Sequence, residues 1–135
     1  MAEDYAPTES VSPSLKMKKH RIIIIDDNRD FADIFSDVLK ANGHSTKSCY
    51  GGKEALDLVE KDTYDIAFID IMMPDMNGVE VLKELKVRFP DTVVIMMTGY
   101  SVDEMIHKAM KEKASDIIYK PFEIEKVLSL LDTIE

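Results

Sequence analysis

The chain has 135 residues, 45% of them hydrophobic, which suits one compact domain with a buried core. Its formal net charge of −9, with 32% charged residues, argues against a nucleic-acid surface, which needs clustered Lys and Arg. Cys49 is the single cysteine, so no intrachain disulfide can form, and no apolar run is long enough to span a bilayer.

Residues 1 to 19 are rich in Pro, Ser, Thr and Glu and read as a flexible tail. They carry neither the basic start nor the apolar stretch of a signal peptide, so the expected location is the cytoplasm. The basic stretch Lys16 to Arg21 (KMKKHR) reads as a solvated lead-in to the first strand.

That first strand, 21–26 (RIIIID), is a continuous β-branched run of the kind buried on both faces of a parallel sheet. A helix follows, with Phe31, Ile34, Phe35, Val38 and Leu39 on one face and Asn42-Gly43 as its stop. The second strand, 44–49 (HSTKSC), is polar and belongs at a sheet edge. Then come a helix at 52–61, a strand at 66–70 (IAFID), and a helix at 77–89 closed by Pro90. Strand 92–97 (TVVIMM) precedes a fourth helix, opened by a Ser101–Glu104 capping box before Met105, Ile106, Ala109 and Met110. Strand 116–119 (DIIY) and a last helix, about 123–134, complete the series. Alternation of this kind predicts an α/β fold, a parallel sheet with helices on both faces. Ligands of such sheets bind outside the carboxyl ends of the strands.

At those ends stand Asp26 and Asp27 on the first strand, Asp70 on the third, Thr98 on the fourth, and Lys120 with Pro121 on the fifth. Three neighbouring carboxylates cannot all stay ionised without compensation, and a hard divalent cation such as Mg²⁺ supplies it. Asp70 is the candidate nucleophile, because carboxylates form acyl phosphates. Lys120 and the metal suit the charge of a transferring phosphoryl group, and Thr98 can donate a hydrogen bond to it. Of the three histidines, His20, His44 and His107, none shows ligand spacing, and all read as surface residues. Cys49 reads as a small side chain tucked at a strand end, and most of the nine methionines as core filling.

The segments "IIIIDDN" (22–28), "IAFIDIMMPDMNG" (66–78), "VVIMMTGY" (93–100) and "IIYKPF" (117–122) together resemble the response-regulator receiver domains of two-component signalling, chemotaxis-regulator-like in form. The resemblance covers nearly the whole chain after the tail. It implies a flavodoxin-like, doubly wound five-stranded parallel sheet of order 2-1-3-4-5 with five helices. It implies a receiver domain over residues 20–135. Asp70 would accept a phosphoryl group from a histidine kinase or phosphotransfer protein. Asp26, Asp27, Asp70 and the backbone carbonyl of Met72 would hold Mg²⁺, and Thr98 and Lys120 would contact the phosphoryl group. The Lys120–Pro121 peptide is expected to be cis. The chain would then be a switch that catalyses its own phosphorylation and slow dephosphorylation, with no nucleic-acid or membrane partner. A downstream protein would bind through the fourth helix, fifth strand and fifth helix, with Tyr100, Lys108, Lys111, Tyr119 and Lys126 as candidates. Met72 and Tyr100 flank the route of an attacking water and offer it no general base, hence the slow loss expected.

Two positions depart from the family pattern. Ile117 stands where receivers usually carry an aromatic switch residue, and reads as a core side chain. Lys113 stands where they usually have a glycine ending the fourth helix. Either that helix ends differently, or Lys113 accepts a left-handed conformation at about 1 kcal/mol. The rival readings are a receiver cut from a larger regulator or hybrid kinase, a pseudo-receiver, and a Mg²⁺-dependent aspartyl-phosphate phosphatase. The last would place a second acid where this sequence has Met72.

Overall fold

Ile22 to Ile25 have no exposed surface, and they make up most of β1 (Arg21–Ile25). The structure, a computed structural model, describes residues 19–99 and 103–134. After β1 come α1 (Arg29–Ala41), β2 (Ser45–Cys49), α2 (Gly52–Lys61), β3 (Ile66–Asp70) and α3 (Gly78–Arg88). Then follow β4 (Val93–Thr98), α4 (Asp103–Lys111), β5 (Asp116–Tyr119) and α5 (Ile124–Asp132). The strands pair in parallel in the order β2-β1-β3-β4-β5. This is the flavodoxin-like sheet with five helices that the resemblance implies. The expected tail, Lys19 apart, and Ser101 of the expected capping box lie outside the described residues.

Burial follows strand position. All five residues of β3 are buried, as befits a central parallel strand, whereas β2 alternates toward solvent at its edge. On one face, Ile23, Ile25, Ile69 and Met96 pack with Ala55 and Val59 of α2 and with Leu82 and Leu85 of α3. On the other, Phe35 of α1 meets Phe68 of β3 edge-on, with ring centroids 5.0 Å apart. Ile117 is half-buried and packs against the first of these clusters, as expected of a core side chain. The unit His20–Pro121 holds these elements up to β5; α5 falls in a separate unit, and its Val127 and Leu131, four residues apart, are both buried.

Caps fix where the helices begin. The Asn28 side chain accepts the Phe31 N–H at 3.1 Å, and that of Asn77 accepts the Val79 N–H at 2.7 Å. Two helices end alike. After α1, the Gly43 N–H bonds the Lys40 carbonyl and the His44 N–H the Leu39 carbonyl, with Gly43 at φ 97°. After α4, the Lys113 N–H bonds Met110 and the Ala114 N–H bonds Ala109, with Lys113 at φ 72°. Both are Schellman ends, but the second puts a lysine where glycine is unstrained. Of the two alternatives at Lys113, the left-handed one is observed. Lys113→Gly should therefore stabilise the protein by about 0.5–1 kcal/mol in urea unfolding. A loss of stability would contradict this.

The histidine expectation needs correction. His20 and His44 are buried, while His107 is exposed. The β1–β2 register pairs Arg21 with Ser45, so the residues just before each strand lie side by side. Their rings stack 5.7 Å apart, and the His20 N–H donates to His44 Nδ1 at 3.1 Å. The methionines also divide: Met96 and Met97 are fully buried, but Met72 and Met110 are about half exposed.

Candidate functional site

β1 ends one residue before Asp26, so the chain leaves the sheet at the aspartate pair. Asp26 is fully buried, while Asp27 beside it is exposed. The Asp26 N–H donates to the Cys49 carbonyl, which ties the loop to β2. Its Oδ1 accepts the Asn28 N–H at 2.9 Å. Its Oδ2 meets the Lys120 ammonium at 2.5 Å, a contact between residues 94 apart in sequence. Asp70, the last residue of β3, is 8% exposed; its Oδ1 accepts the Met72 N–H at 3.3 Å and its Oδ2 lies 3.9 Å from Lys120 Nζ. The Lys120–Pro121 bond is cis.

The cleft over these groups is lined by Asp26, Asp27, Asn28, Asp70, Met72, Gly99 and Lys120. Among the described residues, Asp26, Asp27 and Asp70 each bring a carboxylate oxygen within 4.8 Å of the others. Thr98 ends β4 and is buried; its carbonyl accepts the Lys120 N–H, but its side chain does not line the cleft. Tyr100 lies outside the described residues. Asn28 is a site residue that the sequence reading misses, although an Asn two residues past a strand-ending Asp, before a helix, is a recognisable cap signal.

The loop from β3 to α3 returns tightly. Gly78 N–H donates to the Ile71 carbonyl at 2.9 Å. Asp75 in this loop reaches the start of α2, accepting from the N–H groups of Gly52 and Lys53 at 3.3 Å each, where the helix dipole favours a carboxylate. The segment that carries Met72 is thus fastened at both sides.

Three acidic side chains share one ammonium in the cleft, so acid outnumbers base there. Burial first, and then the Asp26 charge, push the Asp70 carboxyl up to about 7, although Lys120 and the Met72 N–H pull it down. The donor set is all oxygen, which fits a hard divalent cation rather than a soft one. Cys49 offers no alternative, because burial pushes its thiol up to about 12.

The raised Asp70 value carries a stability consequence. An unfolded aspartate titrates near about 3.9, so between roughly pH 4 and 7 the folded carboxyl stays protonated longer than the unfolded one. Stability of the metal-free protein is therefore lost as pH rises through that window, and Asp70→Asn removes the loss. Because solvent reaches the cleft and screens the charges there, the gain at pH 8 should be about 1–2 kcal/mol. Urea unfolding with chelator at pH 8 and pH 4 should show the gain at the first and little at the second. A less stable Asp70→Asn at pH 8 would overturn this reading.

The family model of the response regulator receiver domain matches residues 22–132. Sporulation initiation phosphotransferase F of Bacillus subtilis is 32% identical over 111 residues, spanning 82% of this chain and 90% of that protein. Response regulator MprA of Mycolicibacterium vanbaalenii is 34% identical over 110 residues, 81% of this chain; the match spans 47% of MprA. The structure of a CheY-like receiver domain protein from Methanospirillum hungatei superposes with a TM-score of 0.79 at 29% identity, over 86% of this chain and 96% of that one.

Proposed function

Because this chain belongs to the response regulator receiver family, we propose that it is the phosphoacceptor switch of a two-component phosphorelay, with Asp70 taking the phosphoryl group. The observation that carries the reading is the meeting of Asp26, Asp27, Asp70 and Lys120 in one cleft at the strand ends. Residues 20–135 are taken as the receiver unit.

In the transfer, an Asp70 oxygen attacks the phosphorus of a phosphohistidine on a kinase or phosphotransfer protein. The new P–O bond forms as the P–N bond breaks, and the imidazole leaves with that electron pair and takes up a proton. Lys120 exchanges its hold on Asp26 for a phosphoryl oxygen, offsetting charge there. Thr98, whose side chain does not line the cleft before transfer, swings toward it to donate its hydroxyl to the same group. Asp26, Asp27, Asp70 and the Met72 carbonyl would hold Mg²⁺, and the ion would supply charge neutralisation at the phosphoryl oxygens.

The phosphorylated state acts by altered protein binding. On α4 and β5, Lys108, Lys111 and Tyr119 are exposed, and Lys126 is exposed on α5. These are the proposed contacts for a downstream protein. Among the described residues no helix is long and apolar enough to cross a membrane. The reading puts the chain in the cytoplasm, where ATP-dependent kinases charge their histidines.

Incubation with acetyl phosphate and Mg²⁺ should add one base-labile phosphoryl group by intact mass, and none to Asp70→Asn. The label should decay over minutes rather than seconds, because Met72, 48% exposed at the cleft, offers no general base to water. Undiminished labelling of Asp70→Asn would sink the assignment.

A further inference from the structure

Lys120 has a third neighbour. Its ammonium lies 4.4 Å from the centroid of the Phe31 ring, in addition to its contacts with Asp26 and Asp70. Phe31 is well placed to hold still. Its N–H is fixed by the Asn28 cap, and its ring packs against Phe35 one turn on, at 5.6 Å between centroids. Phe35 in turn rests edge-on against Phe68 in the centre of the sheet. Phe31, Phe35 and Phe68 thus run as one line of aromatic contacts from the core to the rim of the cleft.

The two kinds of contact at Lys120 differ in character. The short bond to Asp26 is directional and holds the ammonium in one place. The face of an aromatic ring attracts a cation over a broad area with little directional demand. A lysine that must leave Asp26 for a phosphoryl oxygen gains from a support that does not have to break during the move. Without it, the flexible four-carbon stem would have to find its geometry anew each time.

We infer that Phe31 is a positioning residue for phosphoryl transfer: its ring holds the Lys120 ammonium at the cleft and steadies its passage from Asp26 to the incoming phosphoryl group. This rests on the receiver reading of the site. It also gives an aromatic side chain a part in the site of a chain that has Ile117 where receivers usually carry their aromatic residue.

The test combines a spectroscopic and a kinetic reading on the full chain. In the wild type, the Lys120 ε-methylene protons should resonate upfield of ordinary lysine, shifted by the ring current. Phe31→Leu should abolish that shift and slow labelling by acetyl phosphate by about threefold to tenfold, with Mg²⁺ affinity held within about twofold. Phe31→Tyr, which keeps the ring, should restore both shift and rate. Unshifted Lys120 protons in the wild type, or a Phe31→Leu rate equal to the wild type, would overturn the inference. If Phe31→Leu does not fold, the wild-type shift and the Phe31→Tyr variant decide it: an ordinary lysine shift overturns, a ring-current shift kept by Tyr supports. Failure of the receiver reading looks different, since the wild type would then take no label at all.

Discussion

Alanine at position 78 is expected to remove more than about 3 kcal/mol of stability, a large share of what a domain this size possesses. A Cβ on Gly78 would lie 2.1 Å from the Asp70 carbonyl oxygen and 2.8 Å from the Ile71 Cα. Both obstacles are backbone, and no rotamer change relieves them. The only escape is to shift the start of α3, which carries the buried Val79, Val81 and Leu82 and receives Asn77 as its cap. The shift would also move Asp70 itself. Gly99 is the internal control, because a Cβ there meets nothing within 4 Å. Urea unfolding should find Gly99→Ala close to the wild type and Gly78→Ala severely destabilised. A Gly78→Ala loss below about 1 kcal/mol would mean that the tight return after β3 is wrong.

The second large effect concerns the metal. Asp27→Ala should weaken Mg²⁺ binding by at least about tenfold, measured by titration calorimetry at fixed ionic strength. Asp27 is exposed at the cleft mouth and stands apart from the Lys120 contact that engages Asp26. It can therefore give a full carboxylate to an incoming ion. Asp26 must share its charge with the ammonium, so Asp26→Ala should weaken binding less. Equal Mg²⁺ affinity in the wild type and Asp27→Ala would require the site to be redrawn.

Much of this architecture is legible in the sequence because it depends on local pattern. Four consecutive isoleucines ending in two aspartates announce a doubly buried strand and a polar rim. The order of Asp26, Asp27, Asp70 and Lys120 along the chain then matches the strand ends of a parallel sheet. The edge position of β2 follows from its polar residues. What stays hidden depends on register and on distant contacts. His20 and His44 look like surface residues until the Arg21–Ser45 pairing sets them side by side. The Phe31–Lys120 contact joins residues on the first helix and beyond the last strand, and Phe31 alone reads as an ordinary member of an apolar helix face. Lys113 lies between these cases: the sequence shows that a glycine is missing, and only the backbone shows that the left-handed turn is kept.

If Asp70 carries the phosphoryl group, chemical trapping should locate it there. Phosphorylated protein can be reduced with borohydride, which converts an aspartyl phosphate to homoserine, and then sequenced by tandem mass spectrometry. Homoserine is predicted at position 70, dependent on Mg²⁺ and absent from protein that received no phosphodonor. Homoserine at position 26 or 27 instead, or a labelled protein with aspartate intact at position 70, would contradict the assignment.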